Sequence, residues 1–102
     1  MATVAEELAR ALRIKIERFG RAIVYTPVGE AAEPISLSGI KLDPASRNIP
    51  RATALYFCAL VDFGASVPEC GGVIEAEGVS FDVVAVTGDV GGAVVVGLKE
   101  QA

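Results

Sequence analysis

The chain is 102 residues long, 52% hydrophobic, and carries 9 Lys or Arg against 13 Asp or Glu for a net charge of −4. That length suits one domain with a single modest core. The sequence has no histidine, which removes the commonest general base, every Ser-His or Cys-His pair, and the commonest metal ligand.

No apolar run approaches the roughly 20 residues of a membrane span. The N-terminus sets acids and arginines inside its apolar pattern, unlike a signal or transit peptide. The expectation is a soluble chain made in the cytosol. Charge is uneven: residues 1–51 hold eight basic and six acidic side chains, whereas residues 52–98 hold six acids and no base. An acidic second half repels phosphate backbones, so direct nucleic-acid binding is not expected there. High apolar content without tryptophan fits either subunit assembly or a plain valine-rich β-domain.

Thr3 and Glu6 form a capping box, and Val4, Leu8, Ala11, Leu12, Ile16 and Phe19 recur at helical spacing. A helix over about 4–19 is predicted, with Glu6–Arg10 and Arg13–Glu17 as i,i+4 pairs and Gly20 as its stop. Lys15 falls nearly on the stripe and Ile14 off it. Ala22–Thr26 is a first strand ended by Pro27, and Gly29–Pro34 a turn. Ile35–Leu42 alternates as a second strand, with Gly39 as a candidate bulge. Residues 43–53 form one long irregular loop with two prolines and two arginines, of the kind used for contact. Ala54–Leu60 is apolar on both faces and reads as a central or helix-covered strand. Val61–Pro68 turns the chain toward Gly71–Leu98, a three-stranded antiparallel meander. There Val79, Phe81, Val83 and Ala85 point one way and Ser80 and Asp82 the other. Glu77-Gly78 and Gly88–Gly92 supply hairpin turns. The fold class is therefore mainly β with one N-terminal helix. It is a single domain, 1–102, whose small antiparallel barrel or sandwich spans about 22–98.

Chemistry is sought and not found. Cys58 and Cys70 lack CxxC spacing or partner ligands and read as buried free thiols, so no metal is expected. Glu75 and Glu77 share one strand face, with Asp82 across the hairpin, an arrangement that reads as a wet strand face. Gly88–Gly92 lacks the Lys-Ser/Thr and helix of a phosphate loop. No catalytic residue and no cofactor are expected, and the chain reads as a non-enzyme.

The order of motifs is more specific. A helix ends in Phe19-Gly20 and leads to an A-x-x-Y-T-P strand (Ala22, Tyr25, Thr26, Pro27). A Gly39-Ile40-x-Leu42-Asp43 strand follows, then an irregular loop and a strand closing on Val61-Asp62. The chain finishes with a Val73-Ile74…Gly78-Val79-x-Phe81-x-Val83-x-x-Val86 hairpin and a G-G-x-x-x-x-x-L strand ending at Leu98. Over nearly its whole length this resembles the small head–tail joining proteins of long-tailed phages, also called head-completion or stopper proteins, and their relatives in gene-transfer agents. Relatives often carry Gly-Asp where this chain has Gly71-Gly72.

The resemblance implies a helix beside a small β-barrel, with copies forming a ring, commonly hexameric, in the virion neck. Its partners would be further copies of itself, a portal or adaptor protein on one side, and a tail terminator or tail tube protein on the other. Packaged DNA would pass through without specific binding, and no membrane is involved. On this expectation Glu75, Glu77 and Asp82 face the channel. The loop residues Pro44, Arg47, Asn48 and Arg51 reach a neighbouring ring. Two alternatives stay open: another neck component such as a tail terminator, or an unrelated small barrel that binds a peptide or ligand in an apolar concavity.

Overall fold

The computed structural model describes residues 3–29, 33–46, 48–49, 51–64, 67–88 and 92–101. The centre of the predicted Gly29–Pro34 turn (30–32), the centre of the Gly88–Gly92 turn, and Arg47 and Pro50 of the long loop lie outside the described residues.

One helix precedes six antiparallel strands: α1 (Val4–Phe19), β1 (Arg21–Thr26), β2 (Ile35–Leu42), β3 (Ala54–Ala59), β4 (Val73–Ala76), β5 (Val79–Gly88) and β6 (Ala93–Glu100). The strands close into a barrel in the order β1-β2-β3-β6-β5-β4. β4 returns to β1, pairing Ile23 with Ala76 and Tyr25 with Ile74, so no sheet edge is left open. The predicted meander is β4, β5 and β6. Its first turn, Glu77-Gly78, has φ of 53° and 78°, the left-handed pair that a two-residue type I′ hairpin requires.

The barrel is filled with side chains rather than hollow. Ile23, Tyr25, Tyr56, Cys58, Phe63, Ile74, Val96 and Leu98 all point inward and are almost wholly excluded from solvent. Tyr25 and Phe63 meet edge to face, 5.3 Å between ring centroids. The Tyr25 hydroxyl accepts from the Glu69 backbone N–H at 3.2 Å, which satisfies its polar end. Burial pushes the Cys58 thiol up to about 12. Cys70, by contrast, is exposed, which corrects the expectation of two buried thiols; both are free.

Two glycines stand where a side chain has no room, Gly39 in the barrel interior and Gly20 at the end of the helix. Gly39 pairs regularly with Arg21 and Cys58, so it is not a bulge. A Cβ there would lie 2.8 Å from Cys58 Sγ and 3.2 Å from Tyr56 Cδ1. Gly20 ends α1 in an extended conformation, φ −73° and ψ 155°, rather than a left-handed cap. What demands glycine is its distance from the last helical turn, since a Cβ would sit 2.3 Å from the Ile16 carbonyl oxygen.

The alternation of β5 breaks midway. A register shift between Val83 and Ala85 moves the inward position to Val86, which packs on the core, and leaves Ala85 opposite outward-facing Gly97. The predicted inward Ala85 is thus corrected by a bulge, which inverts strand parity.

The outer face of β3 and β6 is apolar as well, as read for β3 from sequence. At one end Leu12 and Ile16 of α1 bury Ala59 and Ala93, flanked by Ile40 and Phe57. At the other end the long loop folds back over the sheet. Ile49 Cγ2 lies 3.0 Å from where Gly97 would carry a Cβ, and the Thr53 N–H donates to the Leu98 carbonyl at 2.6 Å.

Candidate assembly surfaces

Three surfaces follow from this arrangement. The first is the acidic hairpin. β4 ends at Ala76, so Glu77 occupies the turn and does not share a strand face with Glu75, contrary to the sequence expectation. Arg21 and Lys41 sit on the inward parity of β1 and β2 at one mouth of the barrel, and both reach Glu77. The Arg21 guanidinium hydrogen-bonds one carboxylate oxygen, and Lys41 Nζ lies 3.6 Å from the other. Arg21, with help from Lys41, holds the Glu77 carboxyl below its ordinary range. Burial and the charge of Glu77 in turn raise the Tyr56 phenol. Glu75 and Asp82 do share the outer face of β4 and β5, on the diagonal between the Glu75–Ser80 and Val73–Asp82 pairs. Glu75 is exposed; Asp82 lies opposite Lys99 and accepts from Gln101 Nε2 at 2.9 Å.

The second surface is the long loop. Asp43 starts it with an Asx turn: its side chain accepts from the Ala45 N–H at 2.9 Å and its carbonyl from the Ser46 N–H at 2.9 Å. A 3-10 turn, Pro44–Ser46, follows. Pro44, Asn48 and Arg51 are exposed, and Arg51 adopts φ 67°, unusual for a residue with a Cβ. Ile49 between them turns inward, so the loop presents polar residues from an anchored base.

The third surface was only half legible in the sequence. The stripe read as one apolar face of α1 is buried at Leu12 and Ile16 alone; Val4 is 73%, Leu8 42% and Phe19 61% exposed. The helix lies along a narrow seam with a groove on each side. The larger, about 700 Å³, runs between Ala9, Leu12 and Arg13 on the helix and Leu60, Val61 and Val67 beyond β3. On the other side, Lys15 and Phe19 overhang Ile40, Leu42 and Phe57 around a groove of about 290 Å³. Arg13 ties the helix down with a two-pronged ion pair to Asp62, Nη2–Oδ1 2.7 Å and Nη1–Oδ2 3.1 Å. The sequence had paired Arg13 with Glu17, its neighbour along the helix. Asp62 is distant in sequence, and only the 3-10 turn Leu60–Phe63 brings it near.

Among the described residues no group of three or more His, Cys, Asp or Glu is placed to hold a metal, and no helix is long and apolar enough to cross a membrane. Four grooves among the described residues border α1 and lie outside the barrel. No family model and no curated protein matches the chain.

Proposed function

We propose that the protein is a structural component of a phage-like neck, a head–tail connector of the stopper kind. In this reading it forms a homo-oligomeric ring between portal or adaptor and tail, helps retain DNA and docks the tail. The observation that carries the reading is the contrast between a barrel packed solid and a helix left half uncovered. A side-chain-filled barrel leaves no internal chamber for a ligand. An uncovered apolar helix face suits a protein whose work is done when other chains cover it. The order of helix, strands, anchored loop and hairpin agrees with the resemblance found in the sequence.

The ring assigns roles to the surfaces. Glu75 and Asp82 turn toward the channel, where their charge keeps DNA phosphates sliding rather than bound. Glu77, held by Arg21 and Lys41, contributes less free charge to that wall. The exposed loop residues Pro44, Asn48 and Arg51 reach the adjoining layer of the neck. The chain performs no catalysis and needs no cofactor.

The test is quantitative peptide mass spectrometry on gradient-purified, nuclease- and protease-treated particles from the source. About six protected copies per portal ring are expected for a cyclic neck layer. Complete absence from mature particles overturns the proposal.

A further inference from the structure

Helix α1 carries more apolar surface than the barrel covers, and that surface is self-complementary. At about 100° per residue, Val4, Leu8, Ala11, Lys15 and Phe19 fall within one arc of about 80°. Leu12 and Ile16, the buried pair, lie farther round toward the sheet. The arc is centred on the helix midpoint, with its bulkiest side chain, Phe19, at one end, Val4 at the other and small Ala11 between.

Charge selects the occupant. Glu7 lies in the first turn and Arg18 in the last, and both border the arc on the side away from the barrel. Neither belongs to an ion pair among the described residues. When two such helices run antiparallel, the same border of each meets the other, so Glu7 faces Arg18 of the second copy at both ends. A parallel pairing would instead put the two copies of this border on opposite flanks of the contact, so that neither Glu7 nor Arg18 meets its opposite charge. We propose that this face pairs two copies of the free chain through α1, antiparallel about a two-fold axis near Ala11.

In that pair Val4 meets Phe19 of the second copy at each end. Ala11 sits at the crossing, where a methyl group allows close approach. Leu8 lies under the aliphatic stem of Lys15 of the second copy, whose ammonium group stays in water. The opposed helix dipoles run side by side in their favourable sense. The groove beside Ile40, Leu42 and Phe57 is then roofed by the second helix. This inference goes beyond the neck reading and does not depend on it.

Sedimentation equilibrium of the full chain from about 10 µM to about 1 mM tests it, with a reversible monomer–dimer equilibrium expected. Leu8→Glu, at a position outside the buried core, should fold and dimerise at least about thirtyfold more weakly. Glu7→Arg and Arg18→Glu should each weaken the dimer about three- to tenfold, and the double variant should recover most of that loss. Both reversals oppose the helix dipole, so circular dichroism should show the double variant's helix as the least stable of the set. Recovery of the dimer therefore cannot come from a better helix. A wild-type chain that stays monomeric overturns the proposal, as does one that passes directly to a higher ring. So does a dimer indifferent to Leu8→Glu, or a double variant no better than the singles. A monomeric result leaves the particle test of the neck reading untouched, and absence from particles leaves the dimer untouched.

Discussion

The inside of the barrel and the face of α1 are both patterned stretches of sequence, one with period two and one with period 3.6. Only the first is used up by the chain's own fold. The buried inward side chains from Ile23 to Leu98 pack into one cluster, and the sheet closes without an edge. The apolar stripe of the helix spends two residues on the barrel and leaves three large ones, Val4, Leu8 and Phe19, in solvent. Periodicity thus reports that a face will be covered, without saying by what. A filled interior stabilises the monomer, whereas a half-covered helix stores the apolar surface that association can bury.

The largest test of this contrast is a matched pair of truncations. Leu98 is fully buried, and Leu98→Ala should cost about 2–5 kcal/mol through lost transfer energy and a residual cavity. Leu8→Ala, measured in dilute monomer, should stay within about 0.5 kcal/mol. Urea unfolding of both variants decides it. Equal costs would break the comparison and place Leu8 in the core.

A second test asks how full the interior is. Gly39→Ala adds one methyl group 2.8 Å from Cys58 Sγ, and overpacking of this kind should cost about 1–3 kcal/mol. Adding Cys58→Ala removes the sulfur that the new methyl strikes, so the double variant should be more stable than the two single losses added together. Strict additivity would mean that the wall relaxes around the methyl group and the barrel has slack. No equivalent test exists on the helix face, where an added methyl meets water.

How much could be read in advance follows the same division. The six strands, their antiparallel character and the limits of α1 were legible because alternation, capping and turn glycines are local signals, whereas the choice between barrel and sandwich came only with the pairing of β4 to β1. The Glu77-Gly78 hairpin is written in two adjacent residues. The parity of Ala85 was not legible, because a bulge inverts a pattern without leaving a glycine or proline to mark it. Gly20 ends α1 as read, but the role of Gly39 was misread for a related reason: the sequence shows that glycine is present but not whether torsion or crowding requires it. The candidate surfaces fared unevenly. Glu75 and Asp82 share a face as alternation implied, but Glu77 is taken by Arg21 and Lys41, which lie far away in sequence and arrive only when the barrel closes. The Arg13–Asp62 pair escaped notice for the same reason, while the neighbouring Glu17 offered a local partner that the fold does not use.

The smallest expected effect concerns that closure. Glu77 joins the hairpin turn to β1 and β2 at one mouth of the barrel, and Arg21 depresses its folded pKa below the unfolded value of about 4.3. A depressed carboxylate contributes stability in full above the unfolded pKa and loses it as pH falls through the folded one. Glu77→Gln should therefore be slightly less stable than wild type at pH 7, and the difference should vanish in strong acid, where both side chains are neutral. Because the pair stands in solvent, the gap should also shrink with added salt. Urea unfolding at neutral and acidic pH checks this, with amide exchange locating the change. Faster exchange at Arg21, Lys41 and the Glu77-Gly78 turn, with α1 unaffected, keeps the two regions independent. Simultaneous loosening of the helix would show that the barrel mouth and the α1 seam open together, and the contrast between a finished barrel and a loosely seated helix would have to be redrawn.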